Sequence, residues 1–261
     1  MDTLVCVKAV VREPPRLRDA TGTPVFEWPR SAPLALNESD AYAVDEAVRL
    51  RKQHGGRVRA VTVGALAAQD VLYTALAKGA DDALRVDATP EDAHGVARLL
   101  AAVARRDGYD LVLTGVESWD GLSSAVGPML AAELDWPFAS AVSAIQTDRD
   151  EAEDEARALV TREQGGGFFQ TLEMPLPAVL SVQSGICRLR YPPTIRVLQA
   201  RKRPPRSESP RALGVELAEP VVRRVAASAP RREREVELLG GEPAEIASAL
   251  ADRIEGTLRP S

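Results

Sequence analysis

Leu4 to Val11 is a run of aliphatic and β-branched residues interrupted by one charge, Lys8, and reads as a strand buried on both faces of a parallel sheet. Residues 14–33 are rich in proline and turn formers, and only Val25–Trp28 looks extended, which predicts a small hairpin or irregular excursion outside the sheet. From Asn37 to Gly55-Gly56 the apolar positions Ala43, Val44, Ala47, Val48 and Leu50 recur at helical spacing behind the candidate N-caps Asn37, Ser39 and Asp40. Val58–Val63 follows as a strand with Gly64 as a tight exit, then Ala67–Lys78 as a helix with Gly79 in the place a C-cap prefers. The alternation repeats with Ala83–Val86 as a strand and Thr89-Pro90 as cap and first helical residue. Ala93–Arg106 then reads as a helix and Leu111–Gly115 as a strand. Strands alternating with helices predict right-handed βαβ units, an α/β fold, over roughly the first 130 residues.

After Leu134 the pattern shifts to strands separated by turns: Ala141–Gln146, Leu159–Arg162, Phe168–Glu173 and Val179–Val182, with Gly165-Gly166-Gly167 as a hairpin turn. From Arg201 the chain is basic and proline-bearing, and a last helix is expected only over Glu242–Ile254. Such a tail is poorly suited to a core of its own, so residues 201–261 are expected as an arm beside a domain of residues 1–200.

Composition narrows the chemistry. Of 261 residues, 45% are hydrophobic and 27% charged, with a net charge of −5, so neither a membrane span nor a general pull toward nucleic acid is expected. The two cysteines, Cys6 and Cys187, are far apart, and the two histidines, His54 and His94, have no companions at metal or triad spacing; no metal is expected, and the location expected is cytoplasmic. P-loop and GxGxxG patterns do not occur.

In an open α/β sheet ligands bind beyond the carboxyl ends of the strands, near the point where the strand order reverses. That rule selects four segments: Cys6–Ala9, Asn37–Asp40, Val63-Gly64 and Thr114–Gly127. The last is a small-residue loop leading into a helix at Met129–Leu134, and the N–H groups of such a helix start suit an anion. Ser123 and Ser124 have no histidine or lysine nearby in sequence to act as base, and Glu117 and Asp120 read as solvated or locally bonded loop acids. Trp119 and Trp136 read as packing residues.

The motifs LVCVK, LNESDAYAVDEAVRL, AVTVG, TALAKGADDALRV, DLVLTGVESWDG, VGPMLAAELDWPFAS, LPAVLSV and RYPPTIRVLQARK occur in that order between Leu4 and about Lys202. In order and spacing they resemble the β subunits of electron transfer flavoproteins. The resemblance implies a three-layer, doubly wound, mostly parallel sheet of the adenine nucleotide α-hydrolase-like kind with an extended C-terminal arm. It also implies a heterodimer with an α subunit that holds most of the redox FAD, and a structural AMP in this chain. The family positions that line AMP fall here on Cys6, Asn37, Ser39, Asp40, Val63, Gly115, Asp120, Gly121, Ser123, Ser124, Ala125 and Val126. No catalytic residue is implied, so the chain is expected to be an electron carrier subunit and not an enzyme.

The likeness has departures. Gly121-Leu122-Ser123-Ser124-Ala125-Val126 offers fewer side-chain donors than the usual phosphate loop, and Glu13 and Ser39 stand where the mitochondrial type has aromatic residues near the flavin. A bifurcating branch with a second FAD has a longer segment after the third strand, which Arg85–Asp92 lacks. The docking loop by which the family engages acyl-CoA or other flavin dehydrogenases corresponds to residues 184–200, with Tyr191, Thr194 and Ile195 as its contact candidates and the following cations Arg201, Lys202 and Arg203 steering acidic partners. Two alternatives stay open: a stand-alone adenine-nucleotide-binding or signalling module of the same fold, and a bifurcating-type subunit.

Overall fold

The computed structural model describes residues 1–11, 16–19, 24–27, 33–148, 156–222 and 236–258. It divides into two compact units, Met1–Arg18 with Phe26–Ala226, and Asp19–Val25 with Ala227–Ser261.

The first unit is built on a nine-stranded sheet. Its parallel strands are β1 (Thr3–Cys6), β6 (Val58–Val63), β7 (Asp82–Val86), β8 (Leu111–Gly115), β9 (Phe138–Asp148), β12 (Ala178–Val182) and β13 (Arg206–Glu208). An antiparallel hairpin, β10 (Arg157–Gly165) and β11 (Phe168–Pro175), extends the edge beyond β9, and its turn is the expected glycine run with Gly166 and Gly167 at positive φ. The order β11-β10-β9-β12-β8-β1-β6-β7-β13 places β1 and β8 side by side. From β1 the chain winds outward through β6 and β7, then returns to the other side of β1 with β8, so the order reverses between β1 and β8.

Alternation along the strands produces the three layers. Val5 and Val7, Val58 and Ala60, and Leu111 and Leu113 pack with α1 (Glu38–His54) and α2 (Gln69–Lys78). Leu4 and Cys6, Val61 and Val112 pack with α3 (Ala93–Asp107) and α4 (Val126–Leu134). The strands are apolar on both sides because both sides are covered, as a doubly wound α/β sheet requires.

Four expectations change. The run Leu4–Val11 is two strands: β2 (Ala9–Val11) leaves the sheet and pairs antiparallel with β5 (Leu34–Leu36). The break falls at Lys8, whose N–H is taken by the Asp40 side chain at 2.8 Å instead of a neighbouring strand. Asp92, not Thr89, caps α3, accepting the Gly95 N–H at 2.8 Å from an extended backbone. The helix expected at Met129 begins a turn earlier, at Val126. Residues 206–208, expected in the arm, add the edge strand β13 beside β7, and the stretch beyond them is tied to α3 where Asp92 accepts the Val221 N–H at 2.7 Å. Of the early excursion, β3 (Arg16–Asp19) and β4 (Pro24–Glu27) form a two-stranded ribbon, while Trp28 lies outside the described residues.

In the second unit α6 (Pro243–Leu258) matches the expected last helix, and its Arg253 is paired with Glu237. Among the described residues no helix is long and apolar enough to cross a membrane.

Gly127 brings α4 close to this sheet: a Cβ there would overlap the Ser181 hydroxyl and crowd Thr114 and Phe138. The hydroxyls of Thr114 and Ser181 are bonded to each other at 2.8 Å, so they have little freedom to move aside. Gly127→Ala would gain about 1 kcal/mol of helix propensity against an overpacking cost of about 1–3 kcal/mol. The expected outcome is a net loss of about 1 kcal/mol, read as a lower urea midpoint at unchanged slope.

Candidate functional site: the crevice between β1 and β8

The site begins with a problem of backbone bonding. Where β1 and β8 end, their chains diverge, and the N–H groups of Lys8 and Gly115 lose a strand partner. Asp40, in the first turn of α1, answers both: one carboxylate oxygen accepts the Lys8 N–H at 2.8 Å and the other accepts the Gly115 N–H at 3.0 Å. The carboxylate is buried. Gly115 has to be glycine, because a Cβ would overlap the Asp40 carboxylate and the Ser39 hydroxyl. Burial pushes the Asp40 carboxyl up to about 7, against the pull of the Lys8 N–H, the Asn37 side chain, the Gly115 N–H and the Lys8 charge.

The neighbours of Asp40 hold the loop that follows β8. The Asn37 amide donates to the Glu117 carbonyl at 2.8 Å and to the Ser39 hydroxyl at 3.0 Å, and the Ser39 hydroxyl donates to the same Glu117 carbonyl at 2.7 Å. From the other side Lys8 Nζ donates to Ser118 Oγ at 2.9 Å and to Asp120 Oδ1 at 2.6 Å. Lys8 lies in the expected segment Cys6–Ala9 but is not among the lining residues that the resemblance implies. Its signal in the sequence is the lone cation in an otherwise apolar run, placed where β1 must leave the sheet.

Beyond Asp120 the loop takes an unusual path. Leu122 and Ser124 both have φ of +47°, a left-handed conformation that costs a residue with a side chain roughly 1–2 kcal/mol. Such turns point successive N–H groups into a common concavity, a shape that suits an anion. The loop ends at α4, whose N-cap Ala125 provides no side-chain bond to the helix start. The residues present therefore fit a phosphate group, with backbone N–H groups as the main donors and the Ser123 and Ser124 hydroxyls beside them. Ser124 also reaches the Glu117 carboxylate at 3.4 Å. Glu117 and Asp120 face different partners and do not form a carboxylate pair.

The expected lining residues thus fall into groups. Asn37, Ser39, Asp40, Gly115 and Asp120 meet in one hydrogen-bonded network. Gly121 continues the Asp120 turn, its N–H bonded to the Ser118 carbonyl at 3.2 Å. Ser123, Ser124, Ala125 and Val126 form the strained segment and helix start. Val63 ends β6, followed by Gly64, whose carbonyl accepts from the buried Arg85 at 2.9 Å. Cys6 ends β1, buried; desolvation, and then the Asp40 charge, raise its thiol far above the ordinary range. Burial pushes the Cys187 thiol up to about 11. Neither is a thiolate nucleophile at neutral pH. Trp136 packs against the core, but Trp119 is 45% exposed and borders a cleft of about 660 Å³ with Val10, Leu36, Leu189 and Tyr191. Glu13 lies outside the described residues.

The expected docking loop runs past that cleft. Tyr191 is 83% exposed, and Thr194 opens α5 (Thr194–Ala200), which packs on α2. Ile195 is 60% exposed on α5, so it is a surface residue and not part of a core.

A family profile described as electron transfer flavoprotein domain matches residues 29–212. The electron transfer flavoprotein subunit beta of Bacillus subtilis (strain 168) is 32% identical over 221 residues, covering 82% of this chain and 83% of that protein. The subunit of the same name from Homo sapiens is 34% identical over 223 residues, covering 82% of this chain and 83% of its own. The one from Methylophilus methylotrophus is 34% identical over 174 residues, covering 65% and 64%.

The Asp40 carboxyl gives the stability a pH signature. Between its ordinary 3.8 and about 7 the folded chain keeps a proton that the unfolded chain has released. The contribution of Asp40 therefore falls as pH rises through that window and is flat above it. Asp40→Asn, which cannot ionise, is expected to flatten the stability profile between pH 5 and 7 by up to about 1.4 kcal/mol per pH unit. Urea melts of both proteins at several pH values read this directly.

Proposed function

This chain belongs to the electron transfer flavoprotein family, among the beta subunits, and on that footing we propose that it is the β subunit of a non-bifurcating heterodimer that carries a structural AMP between β1 and β8. FAD held mainly by an α partner supplies the redox chemistry. This chain's residues bind and position: the Asp40 clasp sets the crevice floor, and Asn37, Ser39 and Lys8 hold the loop at its rim. The N–H groups of Ser123–Val126 receive the phosphate. Tyr191, Thr194 and Ile195 offer a contact surface to acyl-CoA or other flavin dehydrogenases, and the C-terminal arm packs on the α subunit.

The observation that carries the reading is the convergence of the Cys6, Asn37–Asp40 and Gly115–Val126 segments on the one place where the strand order reverses. The AMP type is supported by the short connection between β7 and α3, which runs only from Asp87 to Asp92.

Co-expression with the α subunit is expected to yield a yellow heterodimer carrying one flavin and, by mass spectrometry of the released nucleotide, one AMP, while this chain alone is colourless. Two flavins per heterodimer would assign the pair to the bifurcating type. A chain that purifies alone, takes no flavoprotein partner and releases ATP or no nucleotide would identify a stand-alone module.

A further inference from the structure

Away from the crevice, a buried polar cluster of the first unit joins α1, α2 and the segment leading into α5. Asp45 and Lys78 form an ion pair at 2.7 Å with both side chains only 2% exposed. Arg190 closes the cluster. Its backbone N–H donates to Asp45 Oδ2 at 2.8 Å, and its guanidinium donates to Asp45 Oδ1 through Nη2 at 2.8 Å and Nε at 3.1 Å. Its carbonyl accepts from Lys78 Nζ at 2.5 Å, and Nη2 also reaches the Lys78 carbonyl at 3.4 Å. Main chain and side chain of one residue are thus both held by one buried ion pair.

A buried ion pair is a weak source of net stability, because desolvating two charges costs about as much as their attraction returns. What such a pair does well is fix geometry, since every departure leaves a charge unpaired in a low-dielectric surround. The element fixed here is Arg190, immediately before the exposed Tyr191, Thr194 and Ile195. The far end of α5 is held more loosely. Arg201 meets Asp70 at 3.4 Å with both groups more than half exposed, and it lies over the Tyr73 ring at 5.6 Å. Exposed pairs of this kind contribute about 0–1 kcal/mol. The strong anchor therefore lies on the N-terminal side of the contact residues, and the direction in which they project is set there.

We propose that Asp45 and Lys78 are positioning residues for partner docking: they clamp Arg190 and so hold Tyr191, Thr194 and Ile195 in the orientation that a dehydrogenase partner meets. The inference rests on the docking role given to these three residues above. Lost alignment raises the cost of association, because the segment must then be ordered in the complex.

The test uses the heterodimer with its α partner and an acyl-CoA dehydrogenase as electron donor. Arg190→Gln removes the fork from a side chain that is 45% exposed, and Asp45→Asn combined with Lys78→Met removes both buried charges together so that neither is left unpaired. Both proteins are expected to keep their flavin spectrum and nucleotide content. Their KM for the dehydrogenase should rise about tenfold while the rate at saturating dehydrogenase stays within about twofold. Hydrogen exchange at the backbone amides of residues 190–200 should speed up about tenfold. Arg190→Lys, which keeps the charge but not the fork, should recover part of the KM.

Unchanged exchange and KM in both variants would overturn the proposal, as would loss of flavin and nucleotide in parallel with KM, which marks a merely structural cluster. Ile195→Ala separates this from the docking role. If exchange responds to the clamp variants but Ile195→Ala leaves KM unchanged, the docking role fails. If Ile195→Ala raises KM and the clamp variants do not, the positioning role fails.

Discussion

The constraint on which the crevice depends is the pair of N–H groups exposed where β1 and β8 part. A buried donor without a partner costs about 1–3 kcal/mol, comparable to burying a leucine side chain, so two of them at one point would forfeit what two core residues gain. Water would satisfy them only in an open, wet gap. Asp40 satisfies them in a closed one, and the requirement propagates outward. It fixes the start of α1 within bonding distance of two strands, forbids a side chain at Gly115, and diverts the chain at Lys8 out of the sheet.

Because Asp40 and Asp45 lie on one helix, the crevice and the segment leading into α5 share a rigid element. Five residues along an α-helix amount to about 7.5 Å of rise and roughly 140° of rotation. One carboxylate therefore faces the strand ends while the other faces α2 and Arg190. A third acid, Glu46, is also buried and is met by Arg49, which reaches on to the Ile145 carbonyl at 2.9 Å. Three buried acids on adjacent turns would be an expensive way to build a plain scaffold. Asp40 and Asp45 are matched by donors from other parts of the chain, whereas Glu46 is matched by Arg49 of the same helix, so α1 acts as a common reference for the ends of β1 and β8 and for the segment leading into α5.

The element order was legible in the sequence because it rests on local periodicity. Strand β6 and strand β8 match their expected bounds, and α1 ends at the glycine pair that its pattern predicts. The errors fall where a long-range partner overrides a local signal. Leu4–Val11 looks like one strand until Asp40, more than thirty residues away, takes the Lys8 N–H. Thr89-Pro90 is a good local cap pattern, but Asp92 also collects the Val221 N–H from the far end of the domain. The crevice was legible as a location, since strand ends and a switch point follow from topology. Its wiring was not, because nothing in the spacing of Lys8, Asn37 and Asp120 says that they meet. The same holds for Asp45, Lys78 and Arg190, which are individually ordinary charged residues on helices or in a loop and become informative only once they are seen buried together.

The strained loop bears on what kind of ligand suits the crevice. Leu122 and Ser124 hold left-handed conformations that together cost a few kcal/mol. The backbone N–H bonds within the loop end at Gly121 and Leu122, the Ser124 hydroxyl meets the Glu117 carboxylate at 3.4 Å, and the start of α4 carries no side-chain cap. An anion seated against those N–H groups would offset the strain and complete the helix start at once. A ligand that stabilises the folded chain in this way adds its binding free energy to folding, and the gain grows with its concentration relative to its dissociation constant. Turnover would sacrifice that gain at every cycle, whereas a ligand that stays bound keeps it. The geometry thus suits an anion that stays bound better than one that is turned over, and the thiols of Cys6 and Cys187 beside and beyond it are held protonated.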